Sequence, residues 1–149
     1  MKIITKIIVS IAIAAAVPYP GVCAVQQNDM VEQMGISVSA EENREYSFTD
    51  KKSGFWYGRT HQDKPVDWYA GWNIAKQRVL SDYTLYLDGK EMLRSKAERV
   101  VVNPIGVYRS WGKQSERLHL FDNDPVIAII ASGSRQCALS LTFPSEAKQ

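Results

Sequence analysis

The sequence predicts an all-β protein, an antiparallel β-sandwich of about nine or ten strands that follows a cleaved signal peptide. Three observations carry that prediction. From Glu45 onward, short segments of alternating apolar and polar residues recur at roughly the 8–12-residue spacing of sandwich strands. Turn-forming groups punctuate them at Asp88-Gly89, Asn103-Pro104, Gly112-Lys113 and Asp122-Asn123-Asp124-Pro125. No stretch sustains the 3.6-residue apolar stripe of a core-facing helix.

The N-terminus is set apart first. Lys2 and Lys6 precede the apolar run of residues 7–17, and Pro18 and Pro20 follow it, which is the layout of a secretory leader. Val22-Cys23-Ala24 offers residues a signal peptidase tolerates, so cleavage is expected after Ala24 and residues 1–24 form the leader. The run is shorter than the ~20 apolar residues of a permanent span, so no transmembrane segment is expected after cleavage and the mature protein is expected to be periplasmic or secreted. The alternative is lipoprotein-type cleavage ahead of Cys23, with the chain anchored through that cysteine. Against it, Pro20-Gly21-Val22 lacks the usual leucine and puts a branched valine where a small residue is wanted. Residues 25–43, which show no sustained period, are expected to form a loosely ordered arm with at most a short helix or edge strand. Residues 44–149 form the sandwich domain.

The strands follow in order. Tyr46 and Phe48 mark one and residues 54–59 the next, with residues 60–65 as the turn. In residues 66–74, strict alternation assigns Val66, Trp68, Ala70, Trp72 and Ile74 to one core face. Residues 84–88 lead through Asp88-Gly89 into 90–93, a strong hairpin signal because a type I′ turn needs positive φ at both central positions. Residues 99–102, 105–111 and 116–121 come next. Residues 126–131 are apolar on both faces and read as a central, doubly covered strand. In the last segment Cys137, Leu139, Leu141 and Phe143 alternate with smaller or polar residues, which places Cys137 on a buried face as an inert thiol.

Composition narrows the function. The chain has 149 residues, 45% apolar and 10% aromatic, with 18 Lys+Arg against 16 Asp+Glu. That is one domain, well short of the ~250 residues of a barrel enzyme. The leader carries two lysines and no acid, so the full-chain charge of +2 falls to zero in the mature part and nothing electrostatic points to nucleic acid. His61 and His119 are the only histidines and no Cys/His pair has ligand spacing, so neither a metal nor another cofactor is expected. Asp122-Asn123-Asp124 lacks the glycine and terminal glutamate of a calcium loop and reads as a turn. Ser132-Gly133-Ser134 is not a nucleophile elbow, and no pair of carboxylates stands out for glycoside hydrolysis, so no catalytic residue is assigned.

The aromatic residues carry the functional content. Trp56, Tyr57, Trp68, Tyr69, Trp72, Tyr83, Tyr86, Tyr108 and Trp111 concentrate in the middle of the chain. Rings on a sheet surface stack on the apolar faces of sugars while Tyr O–H and Trp N–H reach hydroxyls. Trp68 and Trp72 share the phase of Val66 and Ile74 and read as core. Tyr57, Tyr69 and Trp111, on the opposite phase or beside a turn, are the candidate carbohydrate-binding residues.

Residues 80–90, Leu-Ser-Asp-Tyr-Thr-Leu-Tyr-Leu-Asp-Gly-Lys, are followed by Val100-Val101-Val102-Asn103-Pro104 and later by Glu116-Arg117-Leu118-His119-Leu120-Phe121-Asp122-Asn123. This order resembles the N-terminal β-sandwich of bacterial glycogen-debranching-type glycoside hydrolases, over roughly residues 55–143. In that family the catalytic carboxylates lie in an (α/α)6 helical barrel after the sandwich. The chain ends at Gln149 without one, so the resemblance implies a fold and a carbohydrate context and transfers no catalytic residue. It implies an exported, non-catalytic module that packs against a separate helical-barrel glycosidase or binds an α-glucan weakly. The alternative is a freestanding envelope or adhesion-type sandwich that works by protein–protein contact.

Overall fold

The computed structural model describes residues 34–145 together with the backbone strand of residues 9–13. The expected cleavage site at Ala24, Cys23 and the arm between 25 and 33 lie outside the described residues. Thirteen strands are described: β1 Val9–Ile13, β2 Ile36–Val38, β3 Glu45–Thr49, β4 Gly54–Arg59, β5 Gly71–Ile74, β6 Gln77–Leu80, β7 Asp82–Leu87, β8 Lys90–Glu91, β9 Arg99–Asn103, β10 Gly106–Trp111, β11 Gln114–Leu120, β12 Ile127–Ser132 and β13 Cys137–Thr142. Their helical content is one 3-10 turn at Arg94–Lys96. Among the described residues no helix is long and apolar enough to cross a membrane.

The strands form three sheets, ordered β1-β12-β11-β10-β9-β2, β3-β4-β5-β6 and β13-β7-β8. Pairing is antiparallel except for β1, which lies inside the expected leader and runs parallel to β12 with Val9 opposite Ile127. The four- and three-stranded sheets are joined by one nearly continuous segment, since β6 ends at Leu80 and β7 starts at Asp82. At the joint the Ser81 amide donates to the Thr142 carbonyl, so the chain transfers its pairing from one sheet to the next. One core cluster draws on all three sheets, with Phe48, Trp56 and Trp72 from the second, Leu85 and Leu87 from the third, and Val100, Val107, Leu118 and Ile129 from the first. This is the all-β sandwich that the periodicity predicts.

Local chemistry accounts for the turns. Asp88 and Gly89 have φ of 51° and 78°, the two positive values that the β7–β8 hairpin requires. Before β4, the buried Asp50 carboxylate accepts from the amides of Lys52, Ser53 and Gly54 at 2.8, 3.0 and 2.9 Å, which turns β3 back into β4. Asn123, with φ of 64°, donates its amide to the Asp50 carbonyl and brings the Asp122–Pro125 turn against this corner.

The core has a polar centre. The β10–β11 register sets Arg109 opposite Glu116, and both are enclosed, at 0% and 2% exposure. Arg109 Nη1 donates to Glu116 Oε1 at 2.7 Å, its Nε to the Thr60 carbonyl at 2.9 Å, and its Nη2 to the Tyr46 hydroxyl at 3.0 Å and the Arg59 carbonyl at 3.2 Å. The Tyr83 hydroxyl reaches Glu116 at 3.2 Å. An ion pair without water is stable only when its remaining donors and acceptors are satisfied, and here backbone carbonyls and two phenols do so. The pair ties the six-stranded sheet to the end of β4.

Three sequence expectations are corrected. Residues 66–74 are not one strand: β5 holds only 71–74, and Val66 and Trp68 are exposed on the loop before it. The strand of residues 126–131 is covered on one face, since Ile127, Ile129 and Ala131 are buried while Ile130 is exposed. The Cys137 strand is half-buried on its inward phase, and Phe143 lies exposed beyond its end.

Candidate functional site

The site with most chemical content is the loop between β4 and β5. It is held at both ends. At its start, Thr60 is fully buried, with its amide donating to the Arg44 carbonyl and its hydroxyl accepting from the Arg44 amide, both at 2.9 Å. His61 Nδ1 lies 2.8 Å from the Glu42 carbonyl, which can only accept, so Nδ1 carries the proton. Pro65 then interrupts any ladder. At the far end, the Ala70 amide closes a turn on the Asp67 carbonyl, and Asn73 Nδ2 donates to the Tyr69 carbonyl at 2.8 Å. Gly71 enters β5 with φ of +96°, and a Cβ there would sit 2.1 Å from the Leu80 carbonyl oxygen.

So held, the loop folds over the outer face of the four-stranded sheet and builds an aromatic stack. Tyr57, on the phase of β4 opposite Trp56, packs on Tyr69 with ring centroids 4.6 Å apart and an angle of 65°. Tyr69 in turn meets Trp68 edge-on, at 5.3 Å and 89°. Trp68 is 82% exposed, and Arg78 Nη1 fixes its backbone by donating to its carbonyl at 2.9 Å. Arg59 stands beside the stack, paired with Glu45 at 2.6 Å and Asp67 at 3.4 Å. The Tyr57 hydroxyl is held above the usual phenol range by burial first, then by Tyr69 and the Glu45 and Asp67 carboxylates, so it remains a neutral phenol.

Next to the stack, β4 runs past the start of β5 and leaves a gap. A cavity of about 30 Å³ opens there, lined among others by Tyr46, Trp56, Arg59, Lys64, Val66 and Asp67. It has room for a water-sized group. Trp56 is 3% exposed and its indole N–H has no hydrogen-bond partner, an unspent donor on the wall of that space.

The three residues singled out from the sequence are therefore divided. Tyr57 and Tyr69 come together, but Tyr57 is the buried base of the stack and Tyr69 its half-buried middle. Trp111 does not join them: it lies on the core phase of β10, half-buried, with Nε1 donating to the Leu93 carbonyl at 2.8 Å. The exposed ring is Trp68, which alternation places in the core. Signals for the correct reading are present in Pro65 and in Asp67, whose carbonyl caps the turn. Cys137 is a free thiol held above its ordinary range by burial, which suits an inert role. Among the described residues no three His, Cys, Asp or Glu side chains are grouped to hold a metal.

Comparison with known proteins gives no identity. No family model, curated protein or solved structure matches the chain.

Proposed function

We propose that the protein is an exported, non-catalytic β-sandwich module that binds glycan through the Trp68–Tyr69 shelf. The observation that carries this reading is the Trp68 ring, 82% exposed yet braced edge-on against Tyr69 and fixed through its carbonyl by Arg78. An exposed tryptophan with no such support is ordinary surface; a braced one is a rigid apolar plane beside polar side chains, the combination that accepts a sugar ring. Arg59, Lys64 and Asp67 stand within the same loop region as hydroxyl partners. The likeness of the Asp-Gly-Lys hairpin and the Phe-Asp-Asn turn to glycogen-debranching sandwiches supports an α-glucan as the first ligand to try. The Lys2/Lys6 leader supports a periplasmic or secreted setting.

The test is calorimetric titration with maltoheptaose of the wild-type protein, Trp68→Ala and Trp111→Ala. Saturable binding that Trp68→Ala removes and Trp111→Ala leaves intact is the expected result. Equal behaviour of all three proteins, or no saturable heat, sinks the proposal.

One observation favours a second reading, attachment to a separate catalytic or envelope protein. The β2 edge of the six-stranded sheet displays Ile36, 70% exposed, close to Met34, 59% exposed. An unpaired sheet edge that displays exposed apolar residues is a place where another chain adds on. Chemical cross-linking from Ile36→Cys in a periplasmic extract, read by mass spectrometry, separates a helical-barrel glycosidase from a surface protein as partner.

A further inference from the structure

Beside the aromatic shelf the four-stranded sheet has a gap in its pairing. Residues Gly54 to Tyr57 of β4 pair with β5, while Gly58 and Arg59 run past its start and pair only with Tyr46 and Glu45 of β3. The cavity of about 30 Å³ opens at that gap, and Tyr46, Trp56 and Gly58 all belong to its described lining. Trp56 and Gly58 are two apart on β4 and so share a face. Because position 58 carries no side chain, the space above it stays open: a Cβ there would stand 2.8 Å from the Tyr46 hydroxyl and 3.3 Å from Trp56 Nε1. Both polar atoms therefore border the same small volume.

Neither has spent its proton. The Trp56 indole N–H, on a side chain 3% exposed, has no hydrogen-bond partner. The Tyr46 hydroxyl accepts from Arg109 Nη2 at 3.0 Å, and its own O–H donates to no described residue. An indole nitrogen can only donate, so leaving it unmet in a buried site costs free energy that an incoming acceptor oxygen recovers. The charged groups of the lining are committed elsewhere. Arg94 donates to Asp82 at 2.8 Å and to the Tyr83 carbonyl at 2.7 Å, Arg59 is paired with Glu45 and Asp67, and Lys64 stands exposed at the mouth. The cavity calls for a neutral oxygen, not an ion. Its volume holds one or two water-sized groups and excludes a sugar ring, so the oxygen must arrive on a short arm.

We infer that this cavity is a subsite for the exocyclic hydroxymethyl group of a hexose, whose oxygen accepts from Trp56 Nε1 and Tyr46 Oη while the rest of the glycan lies on the Trp68–Tyr69 shelf. The inference rests on the shelf reading and adds to it a choice among sugars. Tyr57 lines the cavity and is also the base of the stack, so two ring contacts, of 4.6 and 5.3 Å, connect the opening to the exposed Trp68 ring. A secondary hydroxyl is fixed to its ring and stays outside, whereas a primary hydroxyl sits on its own rotatable carbon and enters. Hexose chains carry that arm and pentose chains lack it.

The experiment is calorimetric titration of the wild-type protein, Trp56→Phe and Trp68→Ala with maltoheptaose and with 6-deoxy-maltoheptaose, the same chain without its primary hydroxyls. Wild type is expected to bind the 6-deoxy chain about fivefold more weakly, the worth of one neutral hydrogen bond. Trp56→Phe is expected to lose most of that preference, because the missing hydroxyl and the missing N–H are two halves of one contact. Trp68→Ala binds neither chain. A circular dichroism melt checks that Trp56→Phe is folded. Should it not be, the two wild-type titrations decide, together with the Trp56 indole resonance, which maltoheptaose shifts and the 6-deoxy chain does not. Equal wild-type affinity for the two chains, or a preference that Trp56→Phe keeps in full, overturns the inference, leaves the shelf standing and assigns the cavity an ordered water only. If wild type binds neither chain saturably, the shelf reading itself falls and the subsite with it.

Discussion

At the scale of single residues, the buried Arg109–Glu116 pair decides most. Removing one partner leaves the other charged and enclosed, at a cost of about 3–5 kcal/mol, whereas replacing both with apolar residues of similar volume is close to neutral. Glu116→Leu is therefore expected to lose about 3–5 kcal/mol in urea unfolding, and the double variant Arg109→Met/Glu116→Leu to recover much of that loss. If the double variant is no better than the single, the value of the pair lies in its bonds to the Arg59 and Thr60 carbonyls instead. The pair was legible in the sequence in outline. Arg109 shares the inward phase of Val107 and Trp111, Glu116 that of Leu118 and Leu120, and the Gly112 turn sets them opposite each other. Alternation alone cannot show which charged residue on an inward phase finds enough partners to stay there, because those partners come from β3, β4 and β7, distant in sequence.

His119 gives the pH dependence at the same scale. Its ring, edge-on to Phe121 at 4.5 Å, is held below the ordinary imidazole range by burial, with Arg117 adding to the effect against the Ile105 carbonyl and Asp122. A lowered folded-state pKa means that the unfolded chain binds the proton first as pH falls. Stability from this group is thus full above the unfolded value of about 6.5 and declines as pH drops through it toward the folded value. Urea midpoints measured between pH 8 and pH 5 should fall for the wild-type protein and fall less for His119→Gln; parallel curves for the two would remove His119 from the account.

Elements differ in what they ask of their glycines, and two positions separate conformation from space. At Gly89 φ is +78° with nothing within 4 Å of an added Cβ, so Gly89→Ala carries only the left-handed cost of about 1–2 kcal/mol. At Gly71 φ is +96° and an added Cβ would meet the Leu80 and Ser81 carbonyl oxygens at 2.1 and 2.5 Å, so Gly71→Ala must also push β5 off β6. Thermal melts should rank Gly71→Ala well below Gly89→Ala, and equal melting temperatures would contradict the close approach. The same glycine explains the misread strand. Val66, Trp68, Ala70, Trp72 and Ile74 keep a period of two, but Pro65, the turn closed on Asp67 and the positive φ of Gly71 reorient the chain between Trp68 and Trp72. Hydrophobic alternation reports phase only while the backbone stays extended. The Asp88-Gly89 hairpin was legible because its signal is conformational and local.

For the whole molecule, the question is whether three sheets make one unfolding unit or several. The core is one cluster to which every sheet contributes, β6 and β7 are nearly one strand shared by two sheets, and the Arg109 network fastens the end of β4 to the six-stranded sheet. No sheet can leave without exposing the others' inner faces. A domain so joined should unfold in a single cooperative step. Its tryptophans make that measurable: Trp56 and Trp72 are 3% and 2% exposed and lie in the shared core, while Trp68 is 82% exposed and reports on the loop alone. In Trp68→Phe/Trp111→Phe, which leaves Trp56 and Trp72 as the emitters, urea transitions followed by tryptophan emission and by far-ultraviolet circular dichroism should coincide in midpoint and slope. An earlier emission change would mean that the four-stranded sheet, which holds both Trp56 and Trp72, opens before the rest. The shelf at the β4–β5 loop would then sit on a unit less stable than the molecule that carries it.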